Sequence, residues 1–300
     1  MKKIQYFIEY LFVLPIYKLG AWLPLSFSAA VWRGIALLCY HLFPPASATV
    51  RRNIVLTIGR DWEKAKIEDL IRRIFIHMGY FIAEFLKIPR FGDRITEMVH
   101  VEGEEHLKAA LARGKGAAMV TGHLGNWELY GYASHTAGYR IHVVYRKISN
   151  PYINRLIIAH RQLYTAGLPE VKEALKAGEA VFQANDILGL ISDQDARHHG
   201  IFVDFLGRKA STYVGPAHFV IKHGTQMVLM FFWRERVGKY RLVYETIEPD
   251  NSITNEQEQI FDLTKRWVQR LEHYILMNPD QYFWFHRRWK SQPKDEGEAH

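Results

Sequence analysis

Short apolar runs alternate with helix-patterned stretches through the middle of this chain, and that alternation leaves few folds open. Strand-like runs fall at 98–101, 117–121, 141–145, 187–191, 227–233 and 240–245. Helical patterns fall between them. One is capped by Asp61, runs to about Leu86 and is stopped by Pro89; others span 104–113, the residues after Asn126, 152–166, 170–185 with Gly178 as a weak point, 216–223 and 255–277. Strands that alternate with helices predict an α/β fold, a mostly parallel mixed sheet flanked by helices. Ligands in such sheets bind beyond the carboxyl ends of the strands. His123, Arg146 and Asp193 each follow a predicted strand, so that edge should collect them. No internal repeat or low-complexity segment interrupts the pattern, and only 291–300 reads as a disordered tail.

The stretch Gly122-His123-Leu124-Gly125-Asn126-Trp127-Glu128 joins the 117–121 strand to the next helix. On one continuous helix, residues five apart point about 140° away from each other, so His123 and Glu128 need a break between them to meet. Gly122 and Gly125 supply the backbone freedom for one, and Asn126 is a good N-cap for the helix that follows. The corner also leaves backbone N–H groups where an oxyanion or phosphate could sit. A histidine oriented by a carboxylate is the minimum equipment for general-base catalysis on a hydroxyl. A glutamate in a first helical turn also suits the helix dipole with no catalysis at all. Spacing alone decides little: 15 His and 31 acidic residues in 300 give roughly 1.5 such pairs by chance. His100/Glu105 and His199/Asp204 share the spacing, but only His123/Glu128 lies between an apolar strand and a capped helix.

Other chemistry has little support. There is one cysteine, Cys39, which rules out a disulfide framework. No G-x-S-x-G, G-x-G-x-x-G, P-loop, CxxC or H-E-x-x-H is found, so neither a metal nor another cofactor is expected. His198, His199 and His286 read as loop and surface residues. Without a nucleophile elbow, acyl chemistry would be direct transfer from donor to acceptor, with no covalent enzyme intermediate. A net charge of +8 points to anionic partners. No helix-turn-helix, RRM or zinc-finger pattern supports nucleic acid.

From Ile4 to Phe43 the chain is apolar and aromatic, with Glu9, Lys18 and Arg33 as its only charges before His41. Lys18 and Arg33 leave no uninterrupted run of ~20 apolar residues, and Pro15 and Pro24 break it further. Two amphipathic helices in the cytoplasmic leaflet fit as well as one tilted span, and a pair of ordinary core helices is the bland alternative. The expected division is a membrane-anchoring helical segment at 1–45 and a catalytic domain at 46–300.

These residues carry a resemblance. GHLGNWE resembles the H-x4-[D/E] motif of the lysophospholipid acyltransferase superfamily. Three further stretches resemble its late lipid A acyltransferase branch: Ser192-Asp193-Gln194-Asp195 with Gly200 to Gly207 and Ser211-Thr212; Tyr145-Arg146-Lys147 with Asn150-Pro151; and Pro279 to Lys290. Together with the apolar amino terminus they cover most of the chain. The resemblance implies transfer of a fatty acyl chain from a thioester, commonly on acyl carrier protein, to a hydroxyl of a lipid A-type or other membrane glycolipid at the cytoplasmic face of the inner membrane. It implies His123 as base and Glu128 as the acid that orients it. Asn126, Arg146, Asp193, Gln194 and Thr212 would contact substrate. Leu206 stands where an aromatic is common, which bears on acyl-chain length. Arg146, Lys147, Arg197, Arg208 and Lys209 are candidates for phosphate contacts, and the aromatic, cationic run Tyr282 to Lys290 suits a membrane interface. The rival readings are a lipid esterase and a non-enzymatic module that binds anionic lipid.

Overall fold

The computed structural model describes residues 2–293; most of the predicted tail, 294–300, lies outside them. Three helices open the chain: α1 (Lys2–Trp22), α2 (Leu25–Leu42) and α3 (Pro44–Leu56). The rest alternates as α4 (Lys64–Lys87), α5 (Arg94–Met98), β1 (Val99–Glu102), α6 (Glu104–Ala112), β2 (Ala117–Thr121), α7 (Trp127–Thr136), β3 (Ile141–Val143), α8 (Pro151–Arg161), α9 (Ala174–Gln183), β4 (Ile187–Ile191), β5 (Ile201–Phe205), β6 (Arg208–Thr212), α10 (Gly215–His223), β7 (Gln226–Arg236), β8 (Lys239–Ile247) and α11 (Glu256–Met277).

Six strands form one sheet in the order β1-β8-β7-β2-β4-β3. β7, β2, β4 and β3 run parallel; β8 turns back along β7, and β1 follows β8 in parallel. The expected mostly parallel α/β sheet is therefore present. Its central strands β2, β4 and β7 are largely buried on both faces, which is why they read as continuous apolar runs. Side chains alternate between faces with period two. Ala117, Met119, Val228, Met230 and Phe232 pack against α6 and α7, whereas Ala118, Val120, Met227, Leu229 and Phe231 pack on the side of α4, α10 and α11. β3 pairs with β4, not with β2, so the strand before Arg146 is two places from the strand before His123.

One local reading is extended and one is corrected. The basic stretch around Arg197 to Lys209 contains an antiparallel hairpin, β5–β6, whose inward residues Val203, Phe205 and Ala210 are buried; its alternation is hidden by the charges on the outer face. Residues 282–290 form no membrane-facing run. Tyr282, Trp284, Arg288 and Trp289 are buried in the core, and Arg288 donates to the Ser211 carbonyl and to Thr212 Oγ1.

Pro15 does not interrupt α1, while Pro24 stands at the start of α2. Along α2, Ser28, Ala29 and Ala36 are buried, and α4 approaches closely: a β-carbon on Gly79 would lie 2.5 Å from the Trp32 carbonyl oxygen. The other face of α2 exposes Phe27, Val31, Ile35, Leu38 and Leu42. α1 exposes Ile4, Ile8, Leu11, Phe12, Ile16, Leu19 and Trp22. By length and composition α2 could cross a membrane.

Candidate active site

β2 ends at Thr121 and the chain turns at once. A β-carbon at Gly122 would lie 2.6 Å from a Leu271 methyl, and one at Gly125, where φ is +63°, would lie 1.8 Å from the Phe232 carbonyl oxygen. Only bare backbone fits between α11 and β7, so the two glycines fix where His123 emerges. The carboxyl-terminal segment clamps the same corner. Gly125 N–H donates to the Gln281 carbonyl (2.9 Å) and Phe283 N–H donates to the His123 carbonyl (2.9 Å).

The His123 ring is held by Asp193. Nδ1 lies 2.6 Å from Asp193 Oδ1, and the His123 backbone N–H donates to Oδ2 at 2.9 Å. Burial drives the Asp193 carboxyl upward, but the His123 ring, its N–H group and Arg288 more than offset this and hold it below the usual carboxylate value. An ionised carboxylate only accepts, so Nδ1 carries the proton and Nε2 the free lone pair. Trp127 and Phe283 flank the ring, with centroids 4.9 and 5.8 Å away.

Glu128 does not hold the ring, as the spacing argument expected. Its carboxylate is tied to both ends of the Arg161 guanidinium, with Nε 3.1 Å away, and accepts from the Tyr164 hydroxyl at 2.6 Å. Burial raises Glu128, and these partners bring it below its ordinary value. The helix that starts at Trp127 turns Glu128 toward α8, whereas Asp193 arrives from the end of β4, the strand beside β2.

Asn126 caps α7 as predicted, accepting from Leu129 N–H at 3.0 Å, and is itself buried. Its amide donates to Glu84 at 2.9 Å, and Glu84 also takes bonds from Arg234 and Tyr240. Thr212 is likewise buried, under Arg288. Neither lines the cavity, so direct substrate contact by these two is corrected. The corner offers fewer free N–H groups than expected, since those of His123, Leu124, Gly125 and Leu129 are taken.

His123, Glu128, Arg146 and Gln194 line one cavity of about 470 Å³, together with Arg161, Tyr164, Ser192 and Tyr213 and an apolar wall that includes Met119, Ile141, Val143, Leu175, Phe219 and Met230. Arg146 is exposed. Of the other basic candidates, Lys147 is exposed and Lys209 pairs with Asp204 at 3.0 Å. The size and lining suit a small ligand or a lipid chain with a few polar anchors.

The sequence reading missed Arg161, Tyr164 and His286. The first two lie at helical spacing, three apart, which was the available signal. His286, read as a surface residue, accepts from Asp195 N–H through Nε2 at 3.0 Å; burial lowers its pKa, with Arg288 and His123 acting the same way against Asp193 and Asp195.

A cavity at the sheet edge with a His–Asp pair fits many transferases. The comparison with known proteins decides among them: residues 1–291 match the family described as bacterial lipid A biosynthesis acyltransferase. The chain belongs to that family. This acyltransferase is 29% identical over 274 residues to a lipid A biosynthesis lauroyltransferase of Escherichia coli, covering 87% of this chain and 84% of the relative. It is 23% identical over 255 residues to a phosphatidylinositol mannoside acyltransferase of Mycolicibacterium smegmatis, covering 83% and 82%. The first relative's name speaks of lipid A and the second's of a phosphatidylinositol mannoside, and both names are those of acyl-transferring enzymes.

Proposed function

We propose that this acyltransferase moves a fatty acyl chain from a thioester, carried by acyl carrier protein, to a hydroxyl of a lipid A-type glycolipid precursor. The observation that carries the reading is the His123–Asp193 pair, which leaves Nε2 free at a cavity suited to an acyl chain. Nε2 takes the proton from the acceptor hydroxyl as its oxygen attacks the thioester carbonyl. The tetrahedral intermediate then expels the thiolate, which takes that proton from the imidazolium. Asp193 keeps the ring in the right tautomer and stabilises its charged form. Glu128 fixes Arg161 in the cavity wall, where a guanidinium can hold a phosphate or a developing charge. Arg146, at the exposed rim, attracts the anionic acceptor, and Gln194 adds a polar contact.

The exposed apolar faces of α1 and α2 support attachment to the cytoplasmic face of the inner membrane, because that much contiguous apolar surface is unfavourable in water. α2 is covered by α4 along its other face, which favours helices lying in one leaflet over a free span. The basic surface suits an acidic carrier protein. The lipid mannoside relative keeps another phosphoglycolipid open as acceptor. Mass spectrometry of membrane lipids from cells with the wild-type protein, His123→Ala or no protein tests the reading. One acyl chain added to a glycolipid by wild type alone is expected; the same product with His123→Ala would refute the base.

A further inference from the structure

β4 carries a glycine at its centre. Gly189 belongs to the strand Ile-Leu-Gly-Leu-Ile, flanked by β2 and β3, and no other described strand of this chain contains a glycine. A strand glycine gives up side-chain packing and often marks a close approach by a ligand or another backbone. Backbone conformation does not require it, since its φ is not positive. Nor does packing. The nearest atoms a β-carbon there would meet are Ile141 Cγ2 and Val143 Cγ2 at 3.5 Å and the His142 carbonyl at 3.6 Å, all ordinary contacts.

What adjoins Gly189 is the cavity. Its neighbours Leu188 and Leu190 are buried, yet Gly189 keeps accessible surface and lines the cavity. By strand alternation it shares a face with Ile187, and its register partner is Met119. That face lies under α7 and α8, where Met119, Tyr130, Ile141, Tyr164 and Met230 also line the cavity. Gly189 stands four residues before Asp193, a distance of about 13 Å along an extended strand. The cavity wall around Gly189 is therefore apolar, and without a side chain at 189 the strand backbone itself forms part of it.

We propose that Gly189 sets the length of acyl chain this enzyme accepts: the chain passes across the bare backbone of β4 toward Met119 and Met230, with its carbonyl end at His123. This inference rests on the acyl-transfer reading and names the subsite for the chain. Leu206 takes no part, being buried in the β5–β6 turn, where its N–H donates to Glu272. A side chain at 189 shortens the available space from the far end.

The test compares wild type, Gly189→Ala and Gly189→Val in cleavage of octanoyl, dodecanoyl and hexadecanoyl coenzyme A, with water as acceptor and thiol release as readout. Binding of the three free fatty acids by native mass spectrometry runs beside it and needs no turnover. Each methylene denied its site costs about fourfold. The ratio of hexadecanoyl to octanoyl kcat/KM should fall about fourfold in Gly189→Ala and about fifteenfold or more in Gly189→Val, and the binding ratios should follow. A ratio unchanged in both variants, or an equal loss at all three lengths, overturns the proposal. The underlying reading fails separately, by His123→Ala retaining thioester cleavage, while the binding ratios still report whether the chain lies across Gly189.

Discussion

Replacing Asp193 with asparagine separates the two carboxylates that contend for His123. Asp193 accepts from both Nδ1–H (2.6 Å) and the His123 backbone N–H (2.9 Å). An asparagine in the same place accepts through one atom and offers an NH2 at the other. Either the backbone N–H faces a donor, or the ring turns to the tautomer with its proton on Nε2, where the base needs a lone pair. Losing one hydrogen bond to a charged group costs ~1.5–3 kcal/mol, or roughly 10- to 150-fold. Tautomer reversal adds to this, and the analogous change in a serine protease triad lowers kcat by about 10⁴. Asp193→Asn should therefore lose about 10²- to 10⁴-fold in kcat with KM for donor and acceptor little changed. Glu128→Gln weakens the hold on Arg161 and should act more on acceptor KM and on melting temperature. The assay is steady-state transfer with each substrate varied, with thermal unfolding as a check on the fold. An Asp193→Asn enzyme within about fivefold of wild type, beside a Glu128→Gln enzyme that has lost its kcat, would refute this assignment and return the orienting role to Glu128.

Other outcomes follow from particular contacts. His160, 1% exposed, is lowered by burial from 6.5 to about 4, against the pull of Glu128. The unfolded chain therefore takes up the proton first, and stability present above pH 6.5 is lost as pH falls toward 4, by up to about 3 kcal/mol. Unfolding of His160→Phe by denaturant across that range should show a flatter pH dependence; an unaltered slope assigns it to other groups. Gly125→Ala should express as unfolded or strongly destabilised protein, since its β-carbon would lie 1.8 Å from the Phe232 carbonyl oxygen; a native circular dichroism spectrum and melting curve would contradict the close packing. Arg146→Ala should weaken acceptor use by up to about fivefold at low salt without lowering the melting temperature, because an exposed cation is screened by solvent. Equal acceptor KM in wild type and variant across salt concentrations would remove Arg146 from the site. Phe12→Asp with Leu38→Asp should reduce sedimentation with anionic lipid vesicles while leaving the fold intact, each lost apolar insertion being worth ~1.5–3 kcal/mol; undiminished binding would place the membrane face elsewhere.

Much of the architecture was legible in local pattern. The six strands of the sheet, the Asn126 cap, the long helix α11 and the glycine-bounded corner at His123 all depend on residues near one another in the chain, and periodicity and capping chemistry report such relations directly. The long helix from the sixties was visible too, though it starts at Lys64 behind Glu63 rather than at an Asp61 cap. Periodicity names a face and not the partner across from it. His123 and Asp193 are 70 positions apart and meet because β2 and β4 pair in register. Glu128 meets Arg161 across 33 positions of chain, a contact that no five-residue spacing encodes. The run Tyr282 to Lys290 shows the same limit. Aromatic and cationic residues suit a membrane interface or a buried clamp equally well by composition, and here Arg288 finds the Ser211 carbonyl and Thr212 while Trp284 fills the core. By itself the sequence determined most of the elements and the sheet edge at which His123 emerges. Tertiary structure alone decided which carboxylate holds the His123 ring, because that choice rests on contacts between distant segments whose geometry is set only when the sheet closes.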